Sequence, residues 1–440
     1  MRARKFVDLF AGCGGLSLGL SMAGMRGLFA IERDGMAFET FAHNFVSEYS
    51  PVAYRFEWPE WLEQRAWGID EILDKHKGML EQMQGTVDIL AGGPPCQGFS
   101  FAGRRVEDDP RNRLFEKYVE VVKAVKPAAL VLENVPGMRV AHNRANSTNL
   151  QGGTKPSRQS FYEKLTDSLD AAGYEVRGML VDASRFGVPQ KRSRLIAIGI
   201  QKDLAKFLQG GIDRAFQLIE SERLRQLNEL GLGEMVSALD AISDLEMGTR
   251  PLSACTDAQS PRGYFEATPS EAATTFQRLM REGASGVPNS LRLARHRTDV
   301  RDRFARIIAE CRKGVRMNDE ARLGFGLKKH RIYPMSPTVP APTITTLPDD
   351  VLHYSEPRIL TVRESARLQS FPDWFQFKGK YTTGGNRRTR ECPRYTQVGN
   401  AVPPYLARAI GHALLQALGE IEINRNAQVE SNLIIMAAAE

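Results

Sequence analysis

Phe6-Val7-Asp8-Leu9-Phe10 runs into Ala11-Gly12-Cys13-Gly14-Gly15 and then into a helical pattern from Leu16. The first five residues read as a short apolar strand. The glycines let the backbone turn sharply and pass close to a ligand. A second strand, Gly27 to Ile31, ends in Glu32, which is placed to accept hydrogen bonds from two ribose hydroxyls. The third glycine of a dinucleotide fingerprint would fall at Ser17, and no phosphate-binding Lys-Ser/Thr follows. A cofactor with a ribose but no phosphate suits the loop better, S-adenosylmethionine being the common one. A purely structural turn is the alternative.

Working outward, Val87 to Ala91 is ended by Gly92-Gly93-Pro94-Pro95, and Ala128 to Leu132 by Glu133-Asn134. Glu175 to Val181 and Leu195 to Ile200 complete the set. Short apolar strands separated by helical stretches predict an α/β protein with a mainly parallel, doubly wound sheet. Ligands on such sheets bind at the carboxyl ends of the strands, where all these motifs fall. From about residue 201 the pattern changes to long polar helices, a Gly/Ser/Pro-rich stretch at Gly283 to Asn289, and a proline- and threonine-rich run at Pro334 to Pro348. The expected division is a cofactor-binding unit at 1–200, a smaller second unit at 201–385, and a C-terminal segment at 386–440 that returns to the first.

The chain has 440 residues, a net charge of +7 and an ordinary globular composition. Arg292 to Arg331 holds thirteen Lys/Arg against five Asp/Glu, an excess of +8 that exceeds the whole chain's. Such a stretch is either a solvated helical face or a phosphate-tracking surface. The cysteines at 13, 96, 255, 311 and 392 form no CxxC pair or metal-like spacing. That argues against a disulfide framework or a zinc site, and for a reducing, cytoplasmic setting. No stretch approaches the length of a membrane span.

Two prolines stiffen the chain before Cys96, and the polar segment Gln97 to Arg113 that follows argues for exposure of the thiol. A lone cysteine is more often a small buried hydrophobe than a nucleophile. Arg104, Arg105, Arg111 and Arg113 would favour the thiolate. Glu133, at the end of the next strand, is placed to act as a general acid. Gln190-x-Arg192-x-Arg194 has period two, so the three side chains would share one strand face. Two arginines there need an acidic or phosphate partner, unless the strand is a solvated edge.

Together these stretches resemble the cytosine-5 DNA methyltransferases of the bacterial modification type. Phe10 to Gly15, Pro94-Pro95-Cys96-Gln97, Glu133-Asn134-Val135 and Gln190-x-Arg192-x-Arg194 occur in that family's order. So do Arg363 to Pro372 and Gln397-Val398-Gly399-Asn400-Ala401-Val402-Pro403-Pro404. The resemblance implies the class I S-adenosylmethionine-dependent methyltransferase fold with a target-recognition domain. It implies methylation of a specific duplex DNA sequence, after the base has been flipped out. Cys96 would attack C6 of cytosine and Glu133 would support N3, with Arg192 and Arg194 holding Glu133 and the nucleotide.

Phe10, Gly12, Gly14, Glu32, Leu114 and Asn400 would surround S-adenosylmethionine, while Gln97, Asn134 and Gln190 would contact the substrate. Residues 97–110 would close as a lid, with Gly98 and Gly103 as hinges. The family has an acidic residue at the end of its third strand; here Trp67-Gly68-Ile69-Asp70 stands near that point, and Asp70 is the candidate. A monomer, a cognate restriction endonuclease and double-stranded DNA are the partners this implies. A tRNA cytosine-5 methyltransferase, a non-catalytic base-flipping protein and a nicotinamide-dependent oxidoreductase are the rivals.

Overall fold

The computed structural model describes residues 2–95, 114–139, 159–383, 387 and 390–439. Six strands form one sheet: β1 (Lys5–Leu9), β2 (Arg26–Ile31), β3 (Ile89–Gly92), β4 (Ala129–Asn134), β5 (Tyr174–Asp182) and β6 (Ser193–Gln201). Their order is β2-β1-β3-β4-β6-β5. β1 to β4 pair in parallel, and β6 alone is reversed, antiparallel to both β4 and β5. The chain leaves β1 towards β2 and later returns to β1's other side as β3. The carboxyl ends of β1 and β3 therefore flank the topological switch point, where such sheets open a crevice.

Helices α1 (Gly15–Met22), α2 (Gly35–Phe45), α3 (Ile69–Gln82), α4 (Leu114–Val125) and α5 (Phe161–Ala171) alternate with these strands. Then come α6 (Lys202–Ala205), α7 (Ile212–Glu229), α8 (Ala238–Ile242), α9 (Thr275–Arg281), α10 (Thr298–Glu310) and α11 (Asp319–Gly324). Helices α12 (Val362–Leu368), α13 (Arg394–Asn400) and α14 (Pro404–Ala439) close the chain. Two apolar clusters cover the sheet: Leu16, Phe41, Phe216 and Leu414 lie in one, Ile72, Tyr118, Val121 and Leu165 in the other. Burial on both faces is what the near-continuous apolar runs of the strands require.

The sequence put residues 212–229 in the second unit, but α7 packs on β5, β6 and α14. Gln226 fastens it by donating from Nε2 to the carbonyls of Phe186 and Tyr405. A polar amphipathic helix does not announce in sequence which sheet it covers. A separate small apolar cluster is formed by Phe304, Ile307, Met317, Leu327, Ile332, Leu352 and Ile359. Among the described residues no third strand lies beyond β2. Its edge is covered instead by residues 55–67, through Glu57 N–H to Gly27 O and Trp67 N–H to Glu32 O, both 2.8 Å.

Helices α1 and α14 cross through small residues. A Cβ at Gly19 would stand 2.3 Å from Ala407 Cβ and 2.4 Å from Pro404 O. Gly19→Ala, otherwise favourable in a helix, is therefore expected to lower stability by about 1–3 kcal/mol through overpacking. A denaturation midpoint at or above wild type would contradict this packing.

Among the described residues, no helix is long and apolar enough to cross a membrane.

Candidate active site

The loop after β1 holds Phe10 at φ 60°, Gly12 at φ 57° and Gly14 at φ 96°. A left-handed aromatic residue costs of order 1–3 kcal/mol, which the surroundings must impose. At Gly14 a Cβ would meet Phe45 Cε2 at 2.4 Å, so glycine is required twice over. At Gly12 a Cβ would meet nothing within 4 Å, so space opens directly before the loop.

Glu32 ends β2 and faces the same loop: its Oε2 accepts Gly12 N–H at 2.9 Å and its Oε1 accepts Asp34 N–H at 2.7 Å. Burial raises its pKa above the usual carboxylate range, and those two bonds oppose the rise. Leu114 begins α4 and, like Phe10, is partly buried against the second apolar cluster. Asn400 is exposed at the end of α13. An open glycine cradle, an apolar rim and a partly buried carboxylate at the end of β2 fit a nucleoside cofactor.

Sequence reasoning passed over Asp8, although a carboxylate inside an apolar strand was the signal. It is fully buried in β1, with Oδ2 accepting Ser17 Oγ–H at 2.6 Å and Oδ1 without a hydrogen-bond partner. Burial pushes its pKa up to about 7, Ser17 opposing and Glu32 adding to the rise. Asp8 therefore ties the cofactor loop's helix to its strand.

Across the switch point, β4 presents Glu133. Arg194 Nε lies 2.7 Å from Glu133 Oε1, each side chain being only 12% exposed. Gly93 sits against the same residue; a Cβ there would be 3.3 Å from Glu133 O and 3.6 Å from Oε2. Asn134 Nδ2 donates to Pro94 O at 2.9 Å, and its Oδ1 accepts Val135 N–H at 2.8 Å. Cys96 and Gln97, with the lid residues 97–110, lie outside the described residues.

Three expectations need correction. Asp70 does not close a strand: it stands in the first turn of α3, 66% exposed, with Lys117 Nζ 3.9 Å away. Gln190, Arg192 and Arg194 do not act as one strand face, because β6 begins only at Ser193. Gln190 is buried and joined to the main chain, donating to Leu368 O at 3.1 Å and accepting Ile344 N–H at 2.8 Å. Arg192, 1% exposed, donates to Ile344 O at 3.2 Å and Gly399 O at 3.0 Å, leaving Arg194 as the partner of Glu133. Burial depresses the Arg192 pKa well below its usual value, Arg194 adds to the fall, and Glu133 opposes it. Asn134, expected at the substrate, is 7% exposed and has its amide bonded within the chain.

The basic stretch is less free than its count suggests. Arg322 is buried on Leu327 O, Lys329 and Arg331 meet Asp350, and Arg306 pairs with Glu310. Arg301, Arg312 and Lys328 are exposed, with no ion pair or side-chain hydrogen bond among the described residues. A cleft of about 530 Å³ between α2 and the second unit is lined by Glu39, His43, Asp257, Lys378 and Arg394, among others. Among the described residues, none of the site residues expected from sequence borders it.

The sheet and its appended unit have the fold of a solved candidate DNA modification methyltransferase encoded in an E. coli prophage. The TM-score is 0.63 at 23% identity, over 95% of this chain and 100% of that one. The chain belongs to the C-5 cytosine-specific DNA methylase family, which it matches over residues 4–416. It is 32% identical to the type II methyltransferase M.DdeI of Desulfomicrobium norvegicum, over 93% of this chain and 88% of that protein. It is also 31% identical to M1.HphI of Haemophilus parahaemolyticus, over 93% and 86%. The protein is a DNA (cytosine-5-)-methyltransferase.

Proposed function

We propose that the two sides of the switch point divide the reaction. One holds S-adenosylmethionine, which when bound supplies an electrophilic methyl group. The other holds a cytosine turned out of the duplex. On the first side the loop Phe10 to Gly14 gives close backbone approach, Glu32 takes the ribose hydroxyls, and Leu114 and Asn400 border the pocket. On the second side the Cys96 thiolate adds to C6 of the ring, while Glu133 donates a proton to N3, so the charge pushed into the ring is neutralised as it forms. Arg194 fixes Glu133, and Asn134 fixes the carbonyl of Pro94 two residues before Cys96. Once C5 carries the methyl group, regeneration reverses the addition: C5 gives its proton to a base, the bond from sulfur to C6 breaks with its electrons returning to the thiolate, and N3 returns its proton to Glu133.

The observation that carries this reading is the meeting of Glu133 with Gly93, which brings the acid beside the chain leading to Cys96. The test is a duplex carrying 5-fluorocytosine at target positions, incubated with S-adenosylmethionine. Fluorine cannot leave as a proton does, so a denaturation-resistant complex should accumulate with the full chain. Absence of any such band would end the Cys96 assignment.

Arg301, Arg312 and Lys328 are the cations placed to meet phosphates. Replacing all three by alanine should weaken DNA binding and make the log–log salt dependence shallower by about 2 to 3. An unchanged slope would put the phosphate contacts on another surface. A cognate restriction endonuclease is the partner protein this activity would protect against.

A further inference from the structure

The short helix α13 carries Asn400 at its last position and Arg394 at its first. A helix of seven residues makes too few internal bonds to fix itself, so its neighbours decide where it stands. At the far end Arg192 donates to Gly399 O at 3.0 Å and Gln369 Nε2 donates to Val398 O at 2.7 Å. At the near end two carboxylates bracket the chain. Asp34 caps α2 through Oδ1, and its Oδ2 accepts Cys392 N–H at 3.0 Å. The other comes from the second unit: Asp257 receives both Arg394 Nη1 and Nη2, the latter at 3.2 Å, and the Tyr381 hydroxyl at 2.8 Å.

Arg394 is 1% exposed, and its remaining bonds reach Gly379 O, Ser290 Oγ and Gln259 Oε1. Its guanidinium lies 4.3 Å from the Tyr381 ring centroid, and that of Arg292, the first cation of the basic stretch, lies 3.7 Å from it.

We propose that Asp257 is a positioning residue for the cofactor pocket: by holding Arg394, it sets where α13 places Asn400. The inference rests on the reading that Asn400 borders the cofactor. Six residue steps of helix carry a displacement at Arg394 about 9 Å to Asn400. The second unit thus grips a wall of the pocket directly. Asp257 touches neither cofactor nor cytosine, and its effect should fall on cofactor affinity rather than on the chemical step.

The test compares wild type, Asp257→Asn and Tyr381→Phe as full chains. The measurements are S-adenosylhomocysteine affinity by calorimetry, KM for S-adenosylmethionine and kcat on unmethylated duplex DNA, and melting temperature. Asp257→Asn keeps the side chain's shape but removes the charge that receives Arg394. It should weaken S-adenosylhomocysteine binding and raise KM about tenfold, with kcat at saturating cofactor within about twofold. Tyr381→Phe removes a single bond to Asp257 and should shift both about threefold in the same direction. If Asp257→Asn does not fold, Tyr381→Phe decides, and unchanged affinity in it overturns the proposal. So does a lower kcat with unchanged affinity, or a loss of affinity only in step with a lower melting temperature. Wild type that fails to bind S-adenosylhomocysteine would overturn the cofactor reading itself; binding that Asp257→Asn leaves intact overturns only the role of Asp257.

Discussion

Cys96→Ala is expected to abolish methyl transfer to duplex DNA while leaving S-adenosylhomocysteine binding within a few-fold of wild type. The direction follows from the division of the site. Phe10, Gly12 and Glu32 stand after β1 and β2, far along the chain from residue 96. Glu133 keeps Arg194, and Asn134 keeps Pro94, so the acid stays in place when the sulfur is gone. What is lost is the covalent step. A cytosine ring without an addition at C6 has little carbanion character at C5, and proximity to a methyl donor does not replace it. Loss of activity should reach at least about 10³-fold, the scale seen when a nucleophile is removed. The same variant should yield no adduct with 5-fluorocytosine duplexes. Equal loss of transfer and of cofactor affinity would assign Cys96 to the fold instead.

Much of this was legible in the chain, for a physical reason. Strands β1 to β4 and most of β6 are buried on both faces and read as apolar runs, β5 at the edge is half exposed, and all six fall within two residues of their expected bounds. The motifs at their carboxyl ends mark the crevice without further information. Long-range partners were not legible. Period two put Gln190 and Arg192 on one strand face, yet both precede β6. It could not show that the backbone of residue 344 lies 152 positions from Arg192, or that of residue 399 a further stretch away, waiting to receive them. A guanidinium that meets two carbonyls reads in sequence like one that meets a phosphate. Asp70 failed differently: the third strand it was expected to end is replaced by residues 55–67, anchored on β2 by single bonds that leave no alternating pattern. The charge excess was incomplete in a third way, because a count of Arg and Lys cannot see Asp349 and Asp350 folding back onto Lys329.

Gly399→Ala should damage cofactor binding although it leaves every functional side chain intact. Alanine is the better helix former, so the exchange would ordinarily stabilise α13. Here a Cβ would stand 2.4 Å from both Thr345 C and Thr345 O and 2.6 Å from Thr346 N. These are main-chain atoms held by Arg192 on Ile344 O and by the Thr345 hydroxyl on Asp350 at 2.6 Å, so they cannot swing aside as a side-chain tip would. The helix must move instead, and Asn400 moves with it. A shift of about 1 Å in a positioning group can cost about 10²-fold, and S-adenosylhomocysteine affinity should fall by that order. DNA binding without cofactor should change far less, since the exposed cations Arg301, Arg312 and Lys328 do not touch α13. Cofactor affinity within threefold of wild type would show that α13 yields without consequence. Asn400 would then have to be removed from the pocket wall, and Arg192 read as a fastening of the fold alone.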